Sequence, residues 1–303
     1  MELKPALASA VRRLTADHVP SPRMNAELLL MFVLSCDRAY LYAHTERQLT
    51  PEEMDRYEAA LAERARGVPA QYITGHQEFW GMDLIVTPAV LIPRPETELV
   101  VETVLELLRS SSARSTAGIA DAGHLQSESR VRIADVGTGS GCIALGLAKD
   151  LPEAEITAID DSPAALEIAR ANAARHQLEH RVRFRQSDLL GGIDDNSLDF
   201  VVSNPPYVGE SEADQVQLEV RKFEPRHAVF AGPTGIEVIT RLVPQAHKVL
   251  QTGGWLVMEI SGTIAESTRK LLKGWDDIEI RLDLQRISRV VRARKSAPGS
   301  ATY

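Results

Sequence analysis

Apolar residues recur three and four positions apart over residues 3–14, 26–34 and 54–65, the spacing that turns one face of a helix toward a core. Residues 1–74 therefore predict a small helical bundle. Pro22 stands at the start of the second helix, and Thr50-Pro51-Glu52-Glu53 has the order of cap, proline and acid that opens the third. The pattern changes at 77–86, where aromatic and β-branched residues surround Gly81 and predict a hairpin, placing a bridge between domains at 75–95. Helical spacing returns over 96–108. Residues 110–129 are Ser, Ala and Gly with almost no large apolar side chain, so they predict a flexible surface insertion.

From residue 131 strands and helices alternate. Strands are predicted at 131–136, 156–160, 182–186, 198–203 and 255–260, and helices at 142–149, 163–175, 236–250 and 265–273. This is the pattern of an α/β domain around a parallel sheet, assigned to 96–303, and the closing strands at 278–284 and 288–292 suggest an antiparallel edge.

Composition narrows the function. The 303-residue chain is 44% hydrophobic and 25% charged, which excludes collagen-like and wholly disordered classes. Its net charge of −8 makes direct nucleic-acid binding unexpected, because that affinity comes mostly from neutralised phosphates. Cys36 and Cys142 are too few for a disulfide framework. The longest apolar run, 28–34, is far short of the about 20 residues of a membrane helix. The N-terminus is amphipathic, with no signal core, and Glu2 and Asp17 speak against a transit peptide. A cytoplasmic location is expected, and no metal site.

The first chemical motif is a buried strand running into Gly137-Thr138-Gly139-Ser140-Gly141 and then a helix. Glycines let a ligand approach the backbone, and the helix N-terminus offers N–H groups. The spacing is G-x-G-x-G and no GK[ST] follows, which disfavours a pyrophosphate. Asp160 ends the next strand, where a carboxylate accepts bonds from both hydroxyls of a ribose. Its neighbour Asp161 is expected to face the other way on an extended chain. Ribose and amino acid without phosphate describe S-adenosylmethionine.

The second motif, Asn204-Pro205-Pro206-Tyr207, follows the strand at 198–203. Two prolines stiffen the turn and remove two backbone donors, leaving carbonyl acceptors. Asn204 adds a side-chain acceptor and Tyr207 a flat ring. Acceptors beside a ring suit a planar –NH2 group, whose nitrogen would be oriented toward a methyl sulfonium and stabilised as it becomes positive.

Together with Pro93-Arg94-Pro95-Glu96-Thr97-Glu98, Ser187-Asp188-Leu189, Phe223-Glu224-Pro225-Arg226 and the closing Asp283-Leu284…Arg289-Val290-Val291, these motifs resemble the bacterial peptide-chain release factor N5-glutamine methyltransferases over about residues 70–293. The resemblance implies a Rossmann-like class I S-adenosylmethionine-dependent methyltransferase sheet with an N-terminal helical bundle domain. It implies that Gly137, Thr138, Gly139, Ser140, Gly141 and Asp160 hold the cofactor, with Asp188 and Leu189 near the adenine; members often carry an aromatic residue where Leu189 stands. Asn204, Pro205, Pro206 and Tyr207 would hold the glutamine amide of a Gly-Gly-Gln loop, with Asn204 also beside the cofactor, and residues 1–74 would help dock the release factor.

Three other readings share parts of the pattern. A sister family modifies a ribosomal protein's glutamine but departs from the Pro-Arg-Pro-Glu-Thr-Glu run. Adenine-N6 nucleic-acid methyltransferases share the Asn-Pro-Pro-Tyr turn, against which stand the acidity and the lack of a basic recognition segment. A non-catalytic cofactor-binding adaptor has no evident need of Asn204 and Tyr207. His176-Gln177-Leu178-Glu179-His180 spells a zinc-protease pattern on a helix that is ending, and Cys142 reads as a small core residue. Glu96 and Glu98 are either first-turn helix acids or groups lying under the site.

Overall fold

The helical spacing at the N-terminus becomes five helices: α1 (Leu3–Ala16), α2 (Pro22–Leu34), α3 (Arg38–Ala43), α4 (Pro51–Ala65) and α5 (Ala70–Thr74). Leu3, Ala6, Ala10 and Leu14 form the buried stripe of α1. They share a cluster with Leu29, Leu30 and Val33 of α2 and Tyr57 and Leu61 of α4. Thr50 caps α4 with a reciprocal box: its Oγ1 accepts from the Glu53 N–H at 3.2 Å, and its own N–H donates to Glu53 Oε2 at 3.0 Å. The helices α3 and α5 are too short to leave a periodic signature in the sequence.

The computed structural model describes residues 1–116 and 130–297. Strands β1 (His76–Phe79) and β2 (Met82–Ile85) form the expected hairpin. A 3-10 turn at Pro95–Thr97 leads into α6 (Glu98–Thr116), so residues 110–116 continue the helix rather than starting a flexible insertion; 117–129 lie outside the described residues. Then come β3 (Arg132–Val136), α7 (Cys142–Asp150), β4 (Glu155–Asp160), α8 (Pro163–Arg175), β5 (Val182–Gln186), β6 (Leu198–Ser203), the short β7 (Val208–Gly209), and α9 (Leu218–Phe223). The chain closes with α10 (Arg226–Val229), β8 (Phe230–Gly232), α11 (Glu237–Val249), β9 (Leu250–Glu259), α12 (Ala265–Leu271), β10 (Asp276–Leu282) and β11 (Ser288–Arg294).

Seven strands form one sheet in the order β10-β11-β9-β6-β3-β4-β5, with β7 and β8 paired separately. The five strands from β9 to β5 run parallel, and β11 and β10 add the antiparallel edge. Period-two alternation sends Phe200 and Val202 into one apolar cluster and Val201 into the other, so β6 is buried along its whole length.

The described residues divide into two compact units. One contains residues 1–76 and also 216–223, which the sequence had assigned to the 96–303 domain; the other takes the rest, including the hairpin from residue 77. Within the helical unit, the buried Arg64 guanidinium meets the Glu219 carboxylate of α9 at 2.8 Å, and Phe223 lies beside Gly67. No local pattern announces such a long-range attachment.

Candidate active site

Register builds the site. Val136 of β3 pairs with Ile159 of β4 and with Ser203 of β6, and Ser203 pairs with Met258 of β9. The next residue along each of these four neighbouring strands therefore stands level at their C-terminal ends: Gly137, Asp160, Asn204 and Glu259. The chain winds from β3 through β4 to β5 on one side and from β6 to β9 on the other, so the crevice lies where the strand order reverses. A cleft with about 1020 Å³ of free space, open to solvent, occupies that position.

Gly137, Thr138, Gly139, Ser140, Asp160, Asp188, Leu189, Asn204 and Pro206 all line the cleft; Gly141, Pro205 and Tyr207 stand outside its lining. The glycine loop contributes room more than free donors. The N–H groups of Gly137 and Thr138 both donate to the Ile159 carbonyl, and that of Gly139 donates to Asp160 Oδ2 at 2.9 Å. Gly137 and Gly139 have φ of +71° and +55°, and a Cβ on either would meet nothing within 4 Å, which leaves the space beside them to a ligand. Gly141 differs, since a Cβ there would press on Ala169 of α8 at 3.3 Å.

Asp160 Oδ1 accepts the Ser162 N–H at 3.0 Å, and burial raises the carboxyl's pKa against the pull of these two backbone donors. Asp161 lines the cleft as well, contrary to expectation, because β4 ends at Asp160 and the chain bends there, ending the alternation of faces. Behind the loop, Asp135 Oδ2 accepts from Thr138 Oγ1 at 2.6 Å and from the Ala144 N–H at 3.1 Å. Burial pushes Asp135 up to about 7. Asp188 pairs with Arg241 of α11, which also lines the cleft together with His227. Leu189 has a left-handed backbone, φ +49°, and packs on the α11 side of the sheet.

At the turn, Asn204 Nδ2 donates to Thr97 Oγ1 at 3.1 Å, Thr97 Oγ1 donates to Glu259 Oε2 at 2.6 Å, and the Tyr207 hydroxyl donates to Glu259 Oε1 at 3.0 Å. Glu259 is 1% exposed. Burial raises its pKa, opposed by Thr97, Tyr207 and Arg289. The Tyr207 hydroxyl is pushed far above its ordinary range by burial and by the same carboxylate. Open glycine positions and the Asp160 carboxylate border the cleft, and the arginine in its lining is already paired with Asp188.

The PrmC N-terminal domain family matches residues 5–75, and the methyltransferase small domain family matches 122–222. A release factor glutamine methyltransferase from Koribacter versatilis is 52% identical over 296 residues, covering 97% of this chain and 99% of the relative. Another bearing that name, from Moorella thermoacetica, is 42% identical over 273 residues, covering 90% of each. The chain belongs to the release factor glutamine methyltransferase family. Among solved structures, the hMettl16 catalytic domain in complex with a MAT2A 3′UTR hairpin superposes with a TM-score of 0.53 at 15% identity, over 81% of this chain and 82% of that one. That likeness concerns the class I methyltransferase fold alone.

Within this release factor glutamine methyltransferase family member, the runs that carried the resemblance meet in space. The Glu224 carboxylate accepts the Ile92 N–H at 3.1 Å and pairs with Arg94, joining the Phe-Glu-Pro-Arg run to the Pro-Arg-Pro run. Of Pro95-Glu96-Thr97-Glu98, it is Thr97 that reaches the turn, while Glu98 accepts the Trp80 N–H at 2.7 Å and so holds the hairpin. Sequence reasoning missed Glu259, Arg241 and His227. Glu259 had a signal: a lone acid closing an apolar strand, at the end where such sheets bind ligands. Of the weaker candidates, α8 ends at Arg175 and the His176 ring bonds the Asp83 carbonyl. Burial pushes the Cys142 thiol up to about 12, so it stays protonated.

Proposed function

We propose that this protein transfers a methyl group from S-adenosylmethionine to the side-chain amide nitrogen of the glutamine in the Gly-Gly-Gln motif of peptide chain release factors. One observation carries the reading: Asn204, with its amide held by Thr97, stands level with the glycine loop and Asp160 along one cleft. Membership in the release factor glutamine methyltransferase family supports it.

Bound in this cleft, S-adenosylmethionine would supply a methyl group on a positive sulfur, which would keep the bonding electron pair when the methyl passes to the amide nitrogen. Gly137 and Gly139 give the cofactor room, and Asp160 accepts from its ribose. Asp188 and Leu189 border the adenine. Asn204 Oδ1 and the carbonyls of the Pro205-Pro206 turn accept the two N–H bonds of the glutamine amide. These acceptors orient the nitrogen and stabilise its developing positive charge. One amide proton then leaves to water, so no strong general base is needed. Tyr207, anchored on Glu259, keeps the turn in place. Residues 1–74 dock the intact release factor, and Met24, Phe32 and Tyr42 supply exposed apolar side chains for this.

Incubation of the full chain with labelled S-adenosylmethionine and purified release factor, followed by mass spectrometry, tests the proposal. Label on the glutamine of the Gly-Gly-Gln peptide is expected. A release factor left unlabelled at that glutamine would overturn it.

A further inference from the structure

An asparagine amide has an accepting end and a donating end, and nothing in its shape decides which of them faces a substrate. Here the surroundings decide. Thr97 Oγ1 lies 2.6 Å from Glu259 Oε2 and 3.1 Å from Asn204 Nδ2, and a threonine hydroxyl has one proton to give. Thr97, Tyr207 and Arg289 favour the ionised form of Glu259 against its burial, and an ionised carboxylate can only accept. The Thr97 proton therefore goes to Glu259, and the oxygen that remains can only accept from Asn204. The Asn204 amide must then turn its NH2 toward Thr97, which leaves Oδ1 as the end directed elsewhere. The other oxygen of the same carboxylate accepts the Tyr207 hydroxyl at 3.0 Å, so one buried group sets both polar side chains of the turn.

We propose that Glu259 and Thr97 are positioning residues for methyl transfer: Glu259, acting through the Thr97 hydroxyl, orients the Asn204 amide so that Oδ1 accepts from the substrate. This inference rests on the reading that Asn204 receives the glutamine amide. Burying a carboxylate is costly, and stability alone would be served as well by an apolar residue of similar volume. What an apolar residue cannot do is impose a direction on a hydrogen-bond chain. The groups facing the carboxylate are Thr97 and Glu96 ahead of α6, Cys142 of α7, Tyr207 of the turn and Arg289 of β11. On acidification the Glu259 carboxyl gains a proton and becomes a donor, and the direction of the chain is no longer enforced.

The test compares Thr97→Val with Thr97→Ser in the full chain, measuring kcat and KM on purified release factor and cofactor affinity by calorimetry. Loss of an outer partner that orients a functional group typically costs about 10- to 100-fold in activity. Thr97→Val is expected to lower kcat by about that factor, with KM and cofactor affinity unchanged. Thr97→Ser, which keeps the hydroxyl, should retain kcat within about threefold, in line with the small cost of a conservative change. In an Asn204→Ala background, Thr97→Val should have no further effect on kcat, because the group it orients is gone. Equal loss in Val and Ser variants, a loss confined to KM or cofactor affinity, or additive losses in the double variant would overturn the proposal. If Asn204→Ala itself retains full activity, the reading of the turn fails; if it loses activity while Thr97→Val does not, only the orientation chain fails. Should Thr97→Val not fold, the pH dependence of wild-type kcat decides: a fall on acidification at constant cofactor affinity is expected, and a flat profile to about pH 5, near the ordinary carboxyl range, overturns the proposal.

Discussion

The two ends of the cleft are built in different ways. The glycine-loop end is local: Asp135 meets Thr138 and Ala144, three and nine residues on, and Asp160 meets Gly139, 21 residues back. Its partners are mostly backbone N–H groups, and its glycines make space. The turn end is assembled from afar by side chains, with 52 residues between Tyr207 and Glu259, 107 between Asn204 and Thr97, and 162 between Thr97 and Glu259. A local, backbone-built site tolerates changes elsewhere in the chain, whereas the turn depends on three distant segments arriving together.

If the ends are separate in function as they are in construction, variants at one should leave the other intact. The largest effect is expected at the turn: Asn204→Ala should lower kcat by about 10²–10³ with cofactor affinity preserved. Asn204→Asp should not restore full activity, since its charge would favour the cationic ground state. Comparable weakening of cofactor binding in Asn204→Ala would dissolve the distinction.

Asp160→Ala is the matching probe at the other end. Loss of an acceptor bonded to hydroxyls should weaken the cofactor by about 1.5–3 kcal/mol, or roughly 10- to 150-fold by calorimetry. An unchanged affinity would remove Asp160 from the cofactor site.

Asp135 gives a readout in stability. Its ordinary value of 3.8 is pushed up to about 7 by burial. Between those values the folded protein keeps a proton that the unfolded chain has released, so stability falls as pH rises across that window. Asp135→Asn removes the titration, and Tm should then decline less between pH 4 and 7, spanning those two values. An identical decline in wild type and variant would mean that another group titrates there.

The smallest effect is expected at the Arg241–Asp188 pair, where both side chains are more than half exposed. Such pairs contribute about 0–1 kcal/mol, so Arg241→Gln should change cofactor affinity less than about fivefold. A larger change would show Arg241 touching the cofactor directly.

The same contrast explains what was legible in the sequence. Gly137 to Gly141 and Asp160 form one strand-loop-helix-strand unit, and local periodicity is enough to find it. The apolar run within 198–203 likewise put Asn204 at a strand end. Glu259 was missed because its importance lies in register: only the pairing of Ser203 with Met258 brings it level with Asn204. Thr97 was visible inside a recognised run, yet the acids on either side of it looked the stronger candidates. The short β7 and β8, two and three residues long, carry no period at all.

The helical unit is discontinuous along the chain, and this has a consequence for its birth. Its last piece, 216–223, is made long after residue 76. At about 5–20 residues per second of synthesis, the intervening stretch of roughly 140 residues takes about 7–30 s to emerge. Throughout that interval Arg64, only 4% exposed in the finished protein, waits without the Glu219 carboxylate. A nascent chain stalled before residue 216 should therefore carry a helical unit that a protease cuts faster than the released protein.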